Sequence, residues 1–168
     1  IEMNQLHLAV ADLTKALALD PRDVYTLNHL GYASARMNLL GPALLHLTDA
    51  LRIDPTSAFA LLIRGVALAK VGRLDEAIMD FNESLRIQPS NDFALKNRGS
   101  ALAKLNRLEE ALSDLNEAHK LKPTNAFTLK NRGAVHKRMG HSELALADFT
   151  AALQFEDDFE LMWFEKLI

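Results

Sequence analysis

Cysteine is absent from this chain of 168 residues. Its absence removes disulfide scaffolds, thiol nucleophiles and Cys-ligated zinc sites together. No stretch approaches the roughly 18 consecutive apolar residues that a membrane span needs. The longest charge-free runs, 24–35 and 37–48, are interrupted by Asn, His, Ser and Thr. A surplus of one charge is lacking too. There are 19 Lys and Arg against 22 Asp and Glu, a net charge of -3, which argues against a surface built for nucleic acid. No GxGxxG, P-loop, GxSxG or HExxH occurs. The six histidines (His7, His29, His46, His119, His136, His141) contain no i, i+4 pair, so neither metal nor cofactor is expected. Carboxylate pairs such as Asp75–Glu76 and Glu109–Glu110 fit the first turns of helices, and Asp157–Asp158 fits a solvated loop. The expectation is a non-enzyme without catalytic residues. Neither end reads as a secretory signal or lipidation motif, which leaves an intracellular, cytoplasmic location as the default; the start at Ile1 points to a fragment of a longer chain.

Proline and glycine are scarce, with five and seven residues, but they are not scattered. Pro21, Pro55, Pro89 and Pro123 are each 34 residues apart, as are Gly31, Gly65, Gly99 and Gly133. Leu27, Leu61, Leu95 and Leu129 keep the same step, and so do Ala9, Ala43, Ala77, Ala111 and Ala145. The period divides the chain into full units 24–57, 58–91, 92–125 and 126–159, preceded by a second helix in 1–23 and followed by the start of a further helix in 160–168.

Within each unit the pattern is that of two helices. Leu61, Gly65 and Leu68 occupy i, i+4 and i+7, and Ala77, Phe81 and Ser84 do the same in the second half. Ala9, Leu13 and Ala16 continue that stripe into the N-terminal helix. Gly72, Gly140 and Asn106 fall where a helix C-terminus wants positive φ, and the prolines stop the second helices. The spacing predicts helices near 24–37, 42–53, 58–71, 75–87, 92–105, 109–121, 126–139 and 143–155.

A 34-residue helix–turn–helix unit carrying Leu61, Gly65, Leu68, Ala77, Phe81 and Pro89 resembles a tetratricopeptide repeat. The resemblance covers essentially the whole chain. It implies an all-α fold, a right-handed α-solenoid of antiparallel helix pairs whose first helices line a concave groove. Departures are Ser34 and His136 at the Leu68 position, Ser84 in place of Ala, and Asp157 in place of a fifth proline.

Charge segregates with the helices. The four first helices with their turns hold ten basic residues and one acidic, Asp92, for +9, while the four second halves sum to -9. Arg64, Arg98 and Arg132 point toward the buried stripe on a wheel of about 100° per residue. Each is matched in its own unit by Asp80, Asp114 or Asp148, whereas the unit 24–57 has Leu30 and His46 at those places. The matched swap predicts structural Arg–Asp pairs.

The remaining cations are candidates for binding. Arg36, Lys70, Lys104 and Arg138 share one offset, with Lys96, Lys130 and Lys137 beside them. Lys96–Asn97 recurs as Lys130–Asn131, and Tyr25, Phe59, Phe93 and Phe127 form an aromatic stripe. In members of the family an Asn at this offset holds the backbone of a bound peptide; His29 and Ile63 occupy it in the earlier units. The carboxylate clamp of chaperone-binding members does not fit, because Ser100, Leu161 and Glu165 stand where it needs polar or basic partners. The expected site is therefore Phe93, Lys96, Asn97, Lys104, Phe127, Lys130, Asn131 and Arg138, a scaffold surface for an acidic or extended peptide of another protein. Nucleic acid and membrane are not expected partners. The alternative is a structural array that self-associates through its apolar ends or edges, or a repeat region whose protein acts elsewhere.

Overall fold

The computed structural model describes residues 2–155, with side chains from residue 5 onward. Asp157–Asp158, the stub 160–168 and the end of the fourth unit lie outside the described residues. Those described form nine helices and no strand: α1 (Glu2–Leu19), α2 (Val24–Arg36), α3 (Leu40–Ile53), α4 (Ala58–Lys70), α5 (Leu74–Ile87), α6 (Asp92–Lys104), α7 (Leu108–Leu121), α8 (Ala126–Arg138) and α9 (Ser142–Gln154). Two compact units divide the chain, Ile1–Pro89 and Ser90–Ile168. In the first, α2 pairs with α3 and α4 with α5, while α1 packs on α2 and the first helices α2 and α4 touch. In the second, α6 pairs with α7 and α8 with α9, and α6 touches α8. Each is a stretch of α-solenoid.

The helix ends explain the period. Every first helix begins behind a side-chain cap that accepts from its first-turn N–H groups: Asp23, Ser57, Asn91 and Asn125, one per 34 residues. Every first helix ends before a left-handed residue: Asn38 (φ 58°), Gly72 (85°), Asn106 (63°) and Gly140 (81°). The second helix starts two residues later, one or two earlier than the sequence pattern indicates. In α3 this puts Pro42 in the first turn, where the missing N–H would have had no helical partner.

Close approach fixes the pairing of helices. A Cβ on Gly65 would lie 2.7 Å from the Phe81 ring, and one on Gly99 would lie 2.8 Å from Leu115 Cγ. Phe81, Leu47 and Leu115 are fully buried in return, with Ala43, Ala77 and Ala111. The helix α1 departs from expectation. Its half-buried stripe is Leu6, Val10, Leu13 and Leu17, and Ala9 and Ala16 are exposed. The alanine face serves to meet a first helix of the same repeat, and among the described residues α1 packs mainly on α2.

The Arg–Asp pairs form as the sequence indicates. Arg64 Nε and Nη2 donate to Asp80 at 2.7 Å each, and Arg98 makes the same fork to Asp114. Arg132 donates to Asp148 at 2.8 and 2.5 Å and to Asn116 Oδ1 at 3.3 Å. All three carboxylates are buried. Leu30 is buried in the unit that lacks the pair, and His46 Nδ1 there is buried without a hydrogen bond. Ser84, the departure from Ala, donates to Ala58 O at 3.0 Å and is fully buried.

Candidate functional site

All eight expected site residues lie on α6 and α8, adjacent first helices of the second unit. Their side chains do different things. Asn97 Nδ2 donates to Phe93 O at 2.7 Å, and Asn131 Nδ2 donates to Phe127 O at 2.8 Å. This back-bond to the preceding turn holds each half-buried amide in the same attitude on its own helix. It leaves each amide its oxygen and a second N–H.

Lys96 is buried, with 4% of its surface exposed. Its Nζ lies 4.7 Å from the Phe93 ring centre and 5.8 Å from that of Phe127, the latter one repeat further on. The two rings cover the ammonium and interact with it through their π faces. Burial pushes its pKa down to about 8, partly opposed by Asp92 and assisted by Lys122. Lys104, Lys130 and Lys137 are exposed. Asp92, the one carboxylate on these two helices, pairs with Lys122 at 2.9 Å.

Arg138 reaches back across the repeat boundary. Its Nη1 donates to Ala103 O and its Nη2 donates to Asn106 Oδ1 at 2.8 Å. Ala103 is in the last turn of α6 and Asn106 is the left-handed residue that ends it, so the guanidinium satisfies a helix C-terminus. One contact that the sequence pattern does not announce is the approach of His136 Nδ1 and His141 Nδ1 to 3.4 Å across the α8–α9 turn. Burial, with Arg132 and His141 nearby, keeps the His136 imidazole below its ordinary pKa against the pull of Asp148.

The corresponding face of the first unit, on α2 and α4, is aromatic. His29 takes the Asn97 place and donates Nδ1–H to Tyr25 O at 2.8 Å, the same back-bond with a different side chain. Leu62, buried, takes the place of Lys96. Among the described residues no cluster of His, Asp and Glu is arranged to hold a metal, and no helix is long and apolar enough to cross a membrane.

The capped, glycine-paired 34-residue hairpins define the class: a helical repeat array whose adjacent first helices touch within each unit. Residues 43–92 and 93–125 match the pattern of the tetratricopeptide repeat, and the nine described helices stand in the arrangement such repeats have. Solved structures of similar fold include MamA from Desulfovibrio magneticus RS-1 (residue 41 to the end), with a TM-score of 0.81 and 19% identity over 92% of this chain and 87% of that one. Another crystal structure of MamA gives 0.78 and 23% identity over 89% of this chain and 87% of that one. MamA of strain AMB-1 gives 0.75 and 24% over 90% and 89%. At these identities the likeness concerns the fold. No curated protein sequence matches. The family supports a protein-interaction scaffold as the general class, and its repeats are typically non-catalytic.

Proposed function

We propose that the α6–α8 face binds an extended, acidic segment of a partner protein. The supporting observation is the pair of matched amides: Asn97 and Asn131, one repeat apart, are each anchored to a phenylalanine carbonyl and each keep a donor and an acceptor for a peptide backbone. Lys104 and Lys130 supply exposed positive charge to meet carboxylates, and Phe93 and Phe127 offer half-buried rings to an apolar side chain. Lys96 acts from beneath the rings, as a fixed positive field. Arg138 positions the rim by holding the end of α6. Charge on the exposed lysines steers association, which is then faster at low salt and weaker as salt rises.

The test reverses only exposed charges, because glutamate at the buried Lys96 would disturb folding. Lys104→Glu with Lys130→Glu should weaken capture of an acidic peptide by about 100-fold, equivalent to roughly 2.7 kcal/mol. Helicity and melting should be unchanged. Wild-type affinity and salt dependence in the double variant would overturn the reading.

A second reading has its own observation. Leu144, Leu146 and Leu153 of α9 are more than half exposed, as is Leu8 of α1, so two end helices present apolar surface. Self-association through such faces predicts a mass that rises with protein concentration in sedimentation and falls back on Leu146→Glu.

A further inference from the structure

The turn between α8 and α9 holds two histidines where the equivalent turns hold a leucine and an ion pair. His136 stands at the place of Leu68 and Leu102, both buried, and is itself only 8% exposed. His141 stands at the place of Arg73 and Arg107, which begin α5 and α7 and donate to Glu76 and Glu110. Leu144 takes the place of those glutamates, so the carboxylate that answers the cation elsewhere is gone. The Nδ1 atoms of His136 and His141 are 3.4 Å apart and their ring centres 5.6 Å. The backbone joins them too, since His141 N–H donates to His136 O at 2.9 Å.

One proton between the two Nδ1 atoms makes their approach a contact; a proton on each makes it a repulsion. The surroundings supply little to offset a second charge. From α9, Asp148 faces His136, but both its oxygens accept from Arg132 of α8, and Glu143 is exposed. From α7, His119 lies near the same fork with its Nδ1 buried and without a hydrogen bond. The carboxylates of α7 are engaged or outside: Asp114 by Arg98, Glu110 by Arg107, Glu117 by Lys120, with Glu109 exposed. On α6, Asp92 pairs with Lys122, Lys96 lies under its rings and Lys104 is exposed. On α8 itself, Lys130 and Lys137 are exposed and Arg138 turns to the end of α6.

Burial, with Arg132 and His141, holds the His136 imidazole below its ordinary pKa against Asp148; burial and Arg132 do the same for His119. With both folded-state values depressed, the unfolded chain takes up these protons first. The stability they contribute is therefore complete above the ordinary histidine pKa and is lost as pH falls below about 6.5. We propose that His136 and His141 form an acid-operated latch: uncharged, they hold α9 against α8; charged together, they release it. The surface laid bare is the Gly133 groove of α8, where a Cβ would lie 2.9 Å from the Phe149 ring. The α4–α5 and α6–α7 hairpins, with leucine at the buried place, stay closed. This does not rest on binding at α6 and α8.

The experiment is hydrogen exchange on the full chain at about pH 7.5 and about pH 5.5, corrected for the exchange of a free chain. On acidification the α9 amides should lose about fivefold more protection than those of α5. His136→Leu supplies the residue of the other two hairpins and should remove most of that excess. His141→Gln, at an exposed position, leaves the core intact and should reduce the excess by about twofold or more. Equal losses in α9 and α5, or an undiminished excess in either variant, would overturn the proposal.

Discussion

The first-helix faces of the two units are built on one backbone plan and differ in surface chemistry. On α2 and α4 the repeated positions hold Tyr25, His29, Tyr32, Phe59 and Leu62; on α6 and α8 they hold Phe93, Lys96, Asn97, Phe127, Lys130 and Asn131. The framework beneath is shared: N-cap, left-handed turn, facing glycine, and a buried Arg–Asp fork in α4–α5 as in α6–α7. The glycines, alanines and caps that set helix pairing repeat most faithfully; variation falls both on the face, as His29 against Asn97, and beneath it, as Leu62 against Lys96.

The largest effect expected tests the shared framework. Asp80→Ala and Asp114→Ala should each destabilise by about 1–3 kcal/mol, because the arginine left behind is mostly buried and loses both hydrogen bonds of its fork. The two losses should be alike, measured by denaturant unfolding. A large loss in one unit and none in the other would break the claim of a common scaffold.

Next comes the position where the units diverge most, Lys96 against Leu62. Replacing Lys96 by Leu makes the second unit resemble the first and should stabilise by about 1–2 kcal/mol at pH 7, since an ammonium need no longer be desolvated. The lysine also has a pH signature. Its folded-state pKa, about 8, lies below the 10.5 of a free lysine, so the unfolded chain binds the proton more readily. Stability should therefore rise between about pH 8 and 10.5 and be flat below, and Lys96→Leu should abolish the rise. An unchanged alkaline profile would show that the amine is hydrated.

The smallest effect concerns the link between α6 and α8. Arg138→Gln removes the fork to Ala103 O and Asn106 and should cost about 0.5–1 kcal/mol, visible as faster amide exchange in the last turn of α6.

The scaffold was largely legible from residue spacing. Prolines, glycines and alanines in one register locate α2 to α9 to within one or two residues. The matched swap of Leu30 and His46 for Arg and Asp identifies the buried pairs, because covariation within a repeat reports a contact inside that repeat. The face was less legible. Lys96 reads as an exposed cation beside Asn97, and its burial depends on Phe127, which stacking brings over it from the next repeat. Arg138 reads as one of a row of groove cations, yet it turns toward the end of α6. The stripe of α1 shifted for a related reason, since which face of a helix is covered depends on the neighbours present. In each case the missing information is a contact between repeats, and spacing within one repeat does not encode its direction.

The Arg–Asp forks have a consequence for how such a chain can change in length. Both partners lie 16 residues apart inside one repeat, so a duplication or loss of any of the three units that have a fork carries it whole or removes it whole. No unmatched charge is left in the interior, wherever the join falls between helix pairs. A gain or loss out of step with the period would strand an arginine or an aspartate in the interior, which is strongly destabilising. The fork thus acts as a reading-frame check on recombination, permitting the array to grow or shrink in whole repeats while the exposed face of each copy is free to diverge.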